Sequence, residues 1–398
     1  MKDATTKKSV VDFSNTQIAF SNKSNVELRK AAWLFSLMNK QWLVDLSSQL
    51  GLIALKLRFP FVSTMIKATV FEQFVGGTTL LESQKTIKSL YKNNALTILD
   101  YGAEAKTSER DFNHTMNETI RALEFAAQHD SVAVVSTKIS GLARFGLLES
   151  IQNGESLTKT TRREYRNVLK RVDAICHVAH ELEVGVFFDA EESWIQYTID
   201  HLVDLMMRRY NKEKVIVYNT FQMYRHDRLQ FLFDSFDKAR KYNYLLGAKI
   251  VRGAYMEKER KRAEEMGYAS PIQVDKAATD DAFNTALRFC VDNYEYIGSC
   301  NATHNMESCL LQAQLIADKN IQKDHPHLNF CQLLGMSDHI TFNLAHHGYN
   351  VAKYVPYGSV QEVFPYLIRR ARENSAVTGD MSREYRLVMQ EVKRRKLA

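Results

Sequence analysis

The stretch LLGAKIVRGAY, residues 245–255, carries the pattern that decides the fold. An apolar run of strand length ends in charged and small residues, and a long charged segment typical of a helix follows it. Seven further runs of this kind occur along the chain: LTILDY (96–101), VAVVSTKI (132–139), VGVFFDAE (184–191), VIVYNTFQ (215–222), YIGSCNATHN (296–305), NFCQLLGM (329–336) and VAKYVPYG (351–358). Short strands that alternate with longer helices are typical of an α/β fold.

The spacing of the eight runs predicts a (β/α)8 TIM-like barrel. Each interval has room for the helix that a parallel crossover needs, although periodicity alone leaves an open, doubly wound sheet as an alternative. A barrel takes about 250 residues, so a chain of 398 leaves room for extra helices. We expect a polar segment over 1–27, an N-terminal helical region packed on the barrel over 28–90, and the barrel itself over 91–398. Within residues 28–55 the apolar residues recur at helical spacing, and they include Trp33, Leu34, Leu37, Met38, Trp42 and Leu43.

Composition places the chain among globular proteins, with 45% hydrophobic and 25% charged residues. The net charge of +7 is too mild to indicate nucleic-acid binding; attraction to an anionic membrane surface is possible but less favoured than no such role. Five cysteines without a CxxC pair suggest neither a disulfide framework nor a zinc site. The stretch LGLIALKLRFPFV (50–62) contains Lys56 and Arg58 and is too short to span a bilayer. Without a recognisable signal or transit peptide, the prediction is a cytoplasmic protein with no transmembrane segment.

Polar residues recur where the predicted strands end, which is where the catalytic groups of a barrel collect. They are Lys138, Asp189, Gln222, Lys249, Arg252, Thr303, His304 and Tyr354. Singly, most of them have an ordinary explanation: a lone lysine is more often a solvated cap, and Asp189, Glu191 and Glu192 form a capping or charged-surface cluster as readily as a site. The histidine pairs lack carboxylates at ligand spacing, so no metal is predicted.

The helix predicted after the last strand carries Tyr366, Arg369, Arg370 and Glu373 at spacings that share one face. This stripe is either a solvated surface or a carboxylate site, and adjacent arginines at this end of a barrel favour the second. In VRGAY, Arg252, Gly253 and Ala254 suggest a diphosphate cradle, although no GxGxxG fingerprint is present.

These motifs, taken in order, resemble the proline dehydrogenases, including the eukaryotic-type stand-alone enzymes and the barrel of bifunctional proline utilisation proteins. The resemblance runs from FVGGTT (74–79) to ENS (373–375) and includes DYGAE, STKISGL, FDAEES, QMY, GAKIVRGAY, ATHN, QLLGM, YVPYG and YLIRRARENS. It implies FAD bound noncovalently at the barrel mouth and oxidation of L-proline to Δ1-pyrroline-5-carboxylate, the first step of proline catabolism. It also implies hydride transfer from proline C5 to flavin N5 and electron transfer to a membrane quinone, with peripheral membrane association as an option.

The resemblance also assigns roles to residues of this chain. It implies Asp189, Lys249 and Lys138 as catalytic residues. It implies a substrate pocket in which Lys138, Arg369 and Arg370 bind the carboxylate, Glu373 anchors Arg369, and the ring is walled by Tyr255, Leu333, Tyr354 and Tyr366. It implies that FAD is held by Ala190, Gln222, Lys249, Val251, Arg252, Gly253, Ala254, Thr303, His304 and Asn305.

Two positions depart from many bacterial members. Lys249 stands where they carry Arg, which leaves its contact with the flavin in doubt, and Met256 stands where they often carry Trp. The alternatives that stay open are a hydroxyproline dehydrogenase, another flavin oxidoreductase of small amino acids on the same barrel, and a non-catalytic scaffold.

Overall fold

The computed structural model describes residues 10–38, 64, 66–102, 106–376 and 380–397, and for 371–376 and 380–382 it describes the backbone alone. Eight parallel strands pair in sequence order and close into a barrel, because β1 pairs with both β2 and β8. The strands are β1 (Leu96–Tyr101), β2 (Val132–Thr137), β3 (Gly185–Phe188), β4 (Val217–Gln222), β5 (Leu246–Val251), β6 (Ile297–Ala302), β7 (Leu328–Leu333) and β8 (Val351–Tyr357). The predicted TIM-like barrel is confirmed, and the open sheet is excluded.

Helices surround the barrel on the outside. Those that follow strands β1 to β8 in turn are Glu109–Ala127, Phe145–Gln152 with Lys159–Glu181, Ser193–Tyr210, Arg228–Lys241, Met256–Met266 with Lys276–Asp292, Met306–Asp318, Asp338–His346 and Val360–Ala376. Before the barrel come Thr16–Ala19, Asn25–Met38, the π-helical Lys67–Phe71, Glu72–Phe74 and Leu80–Tyr91. The short 3-10 turn Ile139–Gly141 follows β2, and Asp380–Arg394 is the last helix.

Local sequence fixes where several of these helices begin. Asn305 caps Met306–Asp318, with its side-chain oxygen accepting a hydrogen bond from the Ser308 backbone N–H at 3.0 Å. Asp275 does the same for Lys276–Asp292, accepting from the Ala278 N–H at 2.8 Å. Such caps satisfy backbone donors that the first turn of a helix leaves unpaired.

Six of the eight strands end earlier than the apolar runs suggest, whereas β1 and β4 end with their runs. β2 stops at Thr137 and β3 at Phe188, so Lys138 and Asp189 lie on the first loop residue after each strand. The runs continued because residues that follow a barrel strand are themselves buried under the surrounding loops; Ala190 is 8% exposed. After β2 and after β3, the chain therefore leaves the sheet at the residue whose side chain belongs to the predicted site, Lys138 or Asp189.

Two layers of apolar side chains lie on opposite faces of the strands. The interior cluster contains Ile98, Phe187, Tyr218, Cys300, Cys331, Ala352 and Tyr354. The outer layer fills the space between strands and helices, with Phe188, Phe221 and Phe283 fully buried. Since successive residues of a strand face opposite sides, Tyr354 points into the barrel and its neighbour Lys353 points outward.

The N-terminal helix Asn25–Met38 packs against the last helix, Asp380–Arg394, and both pack against Val360–Ala376. Leu28, Leu34 and Met38 enter this contact, whereas Trp33, which the helical spacing grouped with them, is 52% exposed. Residues 39–63, including the predicted helical positions Trp42 and Leu43 and the LGLIALKLRFPFV stretch, lie outside the described residues. Among the helices that are described, none is both long and apolar enough to cross a membrane.

The polar segment predicted over 1–27 contains more order than its composition indicates. Val11 and Phe13 are buried against the helices Met306–Asp318 and Asp338–His346, and Thr16–Ala19 is helical. Farther along, the guanidinium of Arg395 donates hydrogen bonds to the carbonyl oxygens of Phe20 and Lys23, at 2.7 Å each. A few apolar anchors hold a mostly polar segment, which is why its periodicity is weak.

Gly335, in the loop after β7, lies in close contact with the segment before the barrel, at Gln73. Its φ is +78°, and a Cβ there would lie 2.1 Å from the Gln73 carbonyl oxygen. We expect Gly335→Ala to lower the free energy of unfolding by about 1 to 3 kcal/mol through steric overlap, beyond the cost of the left-handed backbone. Gly348→Ala is the matched control, because φ is +82° there with open space around it. Urea unfolding measures both, and equal losses would contradict the contact.

Candidate functional site

The carboxyl ends of the strands bring three other predicted residues together around Asp189. Its Oδ1 accepts a hydrogen bond from Lys249 Nζ at 2.5 Å, and its Oδ2 accepts one from the Tyr354 hydroxyl at 2.7 Å. Lys138 Nζ lies 3.9 Å from the same Oδ2. These contacts join the ends of β2 and β3 to side chains from β5 and β8, so they reach across the barrel mouth.

The charges in this cluster are held in defined states. Burial alone would raise the pKa of Asp189, but the ammonium groups of Lys249 and Lys138 and the two hydrogen bonds outweigh it, and the pKa is lowered. Burial, with the carboxylates of Asp100 and Asp189 nearby, raises the pKa of the Tyr354 hydroxyl well above its usual value. Asp189 is therefore an ionised acceptor, and Tyr354 is a protonated donor.

Asp100 is a charged residue of the site that the sequence interpretation did not assign. It lies near the end of β1, is 2% exposed, and its Oδ2 is 4.0 Å from Lys138 Nζ. Lys138 thus stands between two carboxylates, and the formal charges of Lys138, Lys249, Asp100 and Asp189 sum to zero. The motif DYGAE contained the signal, since an acidic residue in an otherwise apolar strand is rarely buried without a partner.

Glu191 and Glu192, which could have been a surface cluster, are both buried. Glu191 accepts hydrogen bonds from the Ser140 backbone N–H, at 2.9 Å, and from the Ser140 hydroxyl. Burial raises its pKa to about 7 despite these bonds. Because Ser140 lies two residues after Lys138 and Glu191 two residues after Asp189, this contact joins the two loops that carry the site. Glu192 pairs with Lys258, from the helix after β5.

Residues assigned to the cofactor line the ends of β4, β5 and β6. Gln222 ends β4 and donates from Nε2 to the Glu191 carbonyl oxygen at 3.1 Å. Arg252 follows β5, and its guanidinium donates to Asp280 at 2.7 Å, Thr303 at 2.7 Å and Ser308 at 3.0 Å. Bonds to described residues therefore use three of its five N–H groups. Most of the guanidinium is thus held by the protein, and a smaller part of it can bind a diphosphate than in an arginine without such bonds.

The remaining cofactor candidates occupy the same rim. Val251, Ala254 and Asn305 are half-buried, Ala190 and Thr303 are buried, and Gly253 is exposed with φ +139°. A Cβ at Gly253 would meet the Tyr224 ring at 2.5 Å, so this position requires glycine for packing as well as for conformation. His304 Nδ1 lies 2.9 Å from the Ser337 hydroxyl, and burial lowers the pKa of His304 to about 3.

One observation tests whether this rim fits a flavin nucleotide. Within the described part of the chain, the buried side-chain oxygen of Gln222 has no hydrogen-bond donor. A buried acceptor without a partner is costly, and a ligand with N–H groups, such as the flavin ring, would satisfy it. The neighbouring hydroxyl, imidazole and guanidinium groups suit the polar remainder of a dinucleotide, so the residues fit FAD.

The helix Val360–Ala376 carries the predicted substrate face. Tyr366 is 7% exposed, and the guanidinium carbon of Arg370 lies 5.4 Å from the centre of its ring. Arg369 and Arg370 are half-buried, which disfavours a fully solvated stripe. Leu333 packs against both the barrel interior and the cluster that contains Tyr366. Tyr255 is half-buried at the start of Met256–Met266, and the Glu373 side chain lies outside the described side chains.

Metal binding has no support at the histidine pairs. His325 and His327 stack edge to face with ring centres 5.4 Å apart, and His346 and His347 do so at 5.5 Å. No group of three or more His, Cys, Asp or Glu side chains within the described ranges could hold a metal ion. All five cysteines are buried as free thiols.

Comparison with protein families identifies the chain. The family model described as "Proline dehydrogenase" matches residues 83–383. The chain belongs to the proline dehydrogenase family. The family resemblance seen in the motifs is thereby confirmed.

Named relatives agree with this membership. The chain is 38% identical to "Proline dehydrogenase 1, mitochondrial" of Drosophila melanogaster over 58% of its length and 35% of that protein. It is 32% identical to the Dictyostelium discoideum protein of the same name, over 90% of its length and 69% of the relative. The chain thus spans about a third of the first protein and two thirds of the second.

A solved structure supports the fold. The chain superimposes on proline utilization A from Bdellovibrio bacteriovorus, inactivated by N-propargylglycine, with a TM-score of 0.74 at 20% identity. The match covers 92% of this chain and 42% of the other. At this identity the likeness establishes the barrel and its added helices.

The raised pKa of Glu191 predicts a pH dependence of stability. The folded state binds the Glu191 proton more tightly than the unfolded chain, so its contribution to the free energy of unfolding falls as pH rises from about 4.5 to about 7. Glu191→Gln removes this dependence, and we expect the variant to gain about 2 to 3 kcal/mol relative to the parent between pH 5 and pH 8.

Urea unfolding of parent and variant at both pH values measures this gain. The free energy of unfolding of the parent alone is not sufficient, because histidines with a lowered pKa have the opposite pH dependence. His304 is one of them, and its lowered pKa reduces stability as pH falls below 6.5. The difference between variant and parent removes this contribution. If the free energies of unfolding of the parent and Glu191→Gln differ by the same amount at pH 5 and pH 8, the raised pKa of Glu191 is contradicted.

Proposed function

We propose that this protein catalyses the FAD-dependent oxidation of L-proline to Δ1-pyrroline-5-carboxylate, the first step of proline catabolism. The observation that carries the proposal is the cluster of Asp189, Lys249, Tyr354 and Lys138 at the barrel mouth, in a chain of the proline dehydrogenase family. Catalytic groups of a barrel occupy this rim. Ionised groups on separate strands held this closely are typical of a site in which charge must be controlled.

FAD is the proposed noncovalent cofactor, held by the rim residues of β4, β5 and β6. Gln222 contributes its buried acceptor, Lys249 its charge, and Thr303, His304 and Asn305 polar groups, while Ala190, Val251, Gly253 and Ala254 permit close approach. The bonds of Arg252 to the described residues leave two of its N–H groups for a diphosphate. Bound FAD would supply the hydride acceptor, and the proposed transfer runs from proline C5 to flavin N5.

The substrate carboxylate is proposed to lie between Lys138 and the arginines of Val360–Ala376. Because Asp100 and Asp189 balance Lys138 and Lys249, the excess positive charge of the pocket comes from Arg369 and Arg370. Guanidinium groups bind carboxylates through forked, charge-assisted hydrogen bonds. Glu373 is proposed to anchor Arg369, and Tyr255, Leu333, Tyr354 and Tyr366 to wall the proline ring.

The charges of the site also affect the protonation of the proline amino group. Hydride leaves the carbon next to nitrogen readily only when the amine is neutral, so the site must favour loss of its proton. A pocket whose carboxylates are already paired with lysines offers little stabilisation to an added ammonium ion. Asp189, Lys249 and Lys138 are therefore proposed as catalytic residues that hold the local charge during the reaction.

Electron transfer to a membrane quinone, a cytoplasmic location and peripheral attachment to a membrane are parts of the same proposal. The net charge of +7 is compatible with attraction to an anionic membrane surface but does not by itself favour it. The domain division is also a proposal: a polar segment over 1–27, a helical region over 28–90 and the catalytic barrel over 91–398. Burial of the Asn25–Met38 helix against Val360–Ala376 supports a helical region that steadies the arginine helix.

The visible spectrum of the purified protein tests the proposed activity. We expect a yellow protein whose flavin is released by denaturation and bleaches when L-proline is added without oxygen. D-proline at the same concentration is the control. A protein that binds FAD but keeps its absorbance with L-proline would favour the scaffold alternative, and one that takes up no FAD would contradict the cofactor.

Arg370→Met tests the carboxylate site. Loss of a charged hydrogen bond costs about 1.5 to 3 kcal/mol, so kcat/KM for L-proline should fall roughly 10-fold to 150-fold with FAD retained. Arg121→Met is the matched control, because Arg121 is 62% exposed and pairs with Glu118 on the outer helix Glu109–Ala127. Near-parent kinetics for Arg370→Met would place the arginine stripe outside the site.

Tyr354→Ser tests the choice between proline and trans-4-hydroxyproline. We expect the parent to prefer proline at least about tenfold, since a hydroxyl against the tyrosine meets steric crowding and loses its partners. Tyr354→Ser should narrow this ratio. Tyr354→Phe is the control: it keeps the aromatic wall and removes the bond to Asp189, so the preference should persist.

Measurement of kcat/KM for both substrates decides between the two activities. A parent that prefers hydroxyproline would favour the hydroxyproline dehydrogenase alternative. A ratio that is the same in the parent and in Tyr354→Ser would show that this residue does not set the choice.

A further inference from the structure

The last helix, Asp380–Arg394, sends one buried carboxyl group toward the barrel mouth. Glu384 is 5% exposed, although it lies on a helix far from the strands in sequence. Its Oε1 accepts a hydrogen bond from the Ser337 backbone N–H at 3.0 Å and lies 3.3 Å from the Ser337 hydroxyl. The ring of His339 approaches the same oxygen at 3.5 Å.

Ser337 passes this contact on to His304. Its hydroxyl lies 2.9 Å from His304 Nδ1, so one side chain touches both Glu384 and a residue of the cofactor rim. The backbone of Ser337 has a φ of +51°, a conformation that is unfavourable for a residue other than glycine. Such a conformation persists only where surrounding contacts hold it, and the Glu384 bond to the Ser337 N–H is one of them.

His304 is neutral in this setting. Burial, together with the charges of Lys353 and Arg370, lowers its pKa to about 3, and His339 is lowered to about 3 mainly by burial. A neutral imidazole carries its proton on one of two nitrogens, and the partner of the other nitrogen decides which. The Ser337 hydroxyl is that partner for Nδ1.

The direction of the two hydrogen bonds follows from the acceptor. Burial raises the pKa of Glu384 to about 7, so at pH 8 the carboxyl group is mostly ionised and can only accept hydrogen bonds. Its Oε1 accepts from the Ser337 N–H and also draws the Ser337 hydroxyl proton toward itself. The Ser337 oxygen is then left with lone pairs facing His304 Nδ1, which must carry the proton. His304 Nε2 is consequently an acceptor.

We propose that Glu384, acting through Ser337, is a positioning residue that fixes His304 as the Nδ1–H tautomer, so that Nε2 accepts a hydrogen bond from a hydroxyl or amino group of a bound nucleotide. The last helix, outside the barrel, thereby sets the hydrogen-bonding character of one residue on its rim. The ligand part rests on the proposed FAD-dependent function, whereas the tautomer belongs to the protein itself.

Histidine NMR measures the tautomer directly. The protein is prepared with 15N-labelled histidine and studied at pH 8, and the His304 signals are identified as those missing from His304→Asn. We expect the parent to show His304 with its proton on Nδ1. Ser337→Ala, which keeps the backbone bond to Glu384 and removes the relay, should move the proton to Nε2.

Two further variants make the test specific. Glu384→Gln keeps a side-chain carbonyl oxygen as acceptor and should preserve the Nδ1–H form, whereas Glu384→Met should lose it. Ser83→Ala removes another fully buried serine hydroxyl, which donates to the Thr79 carbonyl oxygen at 2.8 Å, and should leave His304 unchanged. A variant that fails to fold leaves the parent measurement decisive.

FAD affinity supplies the second readout. The dissociation constant from fluorescence titration of flavin-stripped protein should rise about 2-fold to 10-fold in Ser337→Ala and stay at the parent value in Ser83→Ala. His304 protonated on Nε2 in the parent, or unaltered by Ser337→Ala, would overturn the proposal. If the tautomer changes in Ser337→Ala but the dissociation constant for FAD does not, the proposed hydrogen bond between the nucleotide and His304 Nε2 is overturned. Failure of the parent to bind FAD would count against the proposed function while the tautomer result stands.

Discussion

The ionised carboxylate of Asp189, held between Lys249 and Tyr354 inside the mouth of the barrel, is the interaction on which the candidate site depends. β3 is neither adjacent to β5 nor adjacent to β8, so both hydrogen bonds cross the opening instead of following the sheet. Their lengths are attainable only if the barrel is closed and its registers are fixed. Breaking one partner of a buried ion pair typically costs several kcal/mol, so fold and site constrain each other.

The barrel alone does not complete the site. The helix that carries Tyr366, Arg369 and Arg370 lies against the N-terminal helix and the last helix, in one apolar cluster that also includes Phe74 and Met336. Lys353, fully buried on the outer side of β8, pairs with Asp338 at 2.8 Å, and Lys23 reaches the same carboxylate at 3.4 Å. The two ends of the chain therefore act together as a support for the loop after β7 and for the arginine helix.

Sequence reasoning located every strand of the barrel and the residues at its rim, because a parallel barrel imposes a strong alternation of apolar runs and because rim residues follow those runs directly. It placed the ends of six strands too late, since the residues that follow a strand, such as Ala190, are also buried. Glu191 was indistinguishable from a surface cluster, because its burial depends on Ser140 from another loop. The position of Trp33 depended on the partner helices rather than on its own helical spacing.

Other parts of the site could not be predicted because they arise from contacts between distant segments. Asp100 belongs to the site because it lies beside Lys138, which is on a different strand end. The three protein partners of Arg252 come from different elements after β5 and β6. Glu384 is connected to His304 through Ser337, whose left-handed backbone has no sequence signal of its own. Pairings of this kind are set by the closed topology, and a single sequence does not display them.

A double-mutant cycle on Asp189 and Lys249 tests most directly whether this ion pair organises the mouth. The free energy of unfolding is measured by urea titration for the parent, Asp189→Asn, Lys249→Met and the double variant. We predict that each single change is costly and that the double variant loses much less than the sum, with a coupling of about 2 kcal/mol or more, because it leaves no unpaired buried charge of this pair. Losses that add to within about 0.5 kcal/mol would show that the two residues act independently, and would contradict the account.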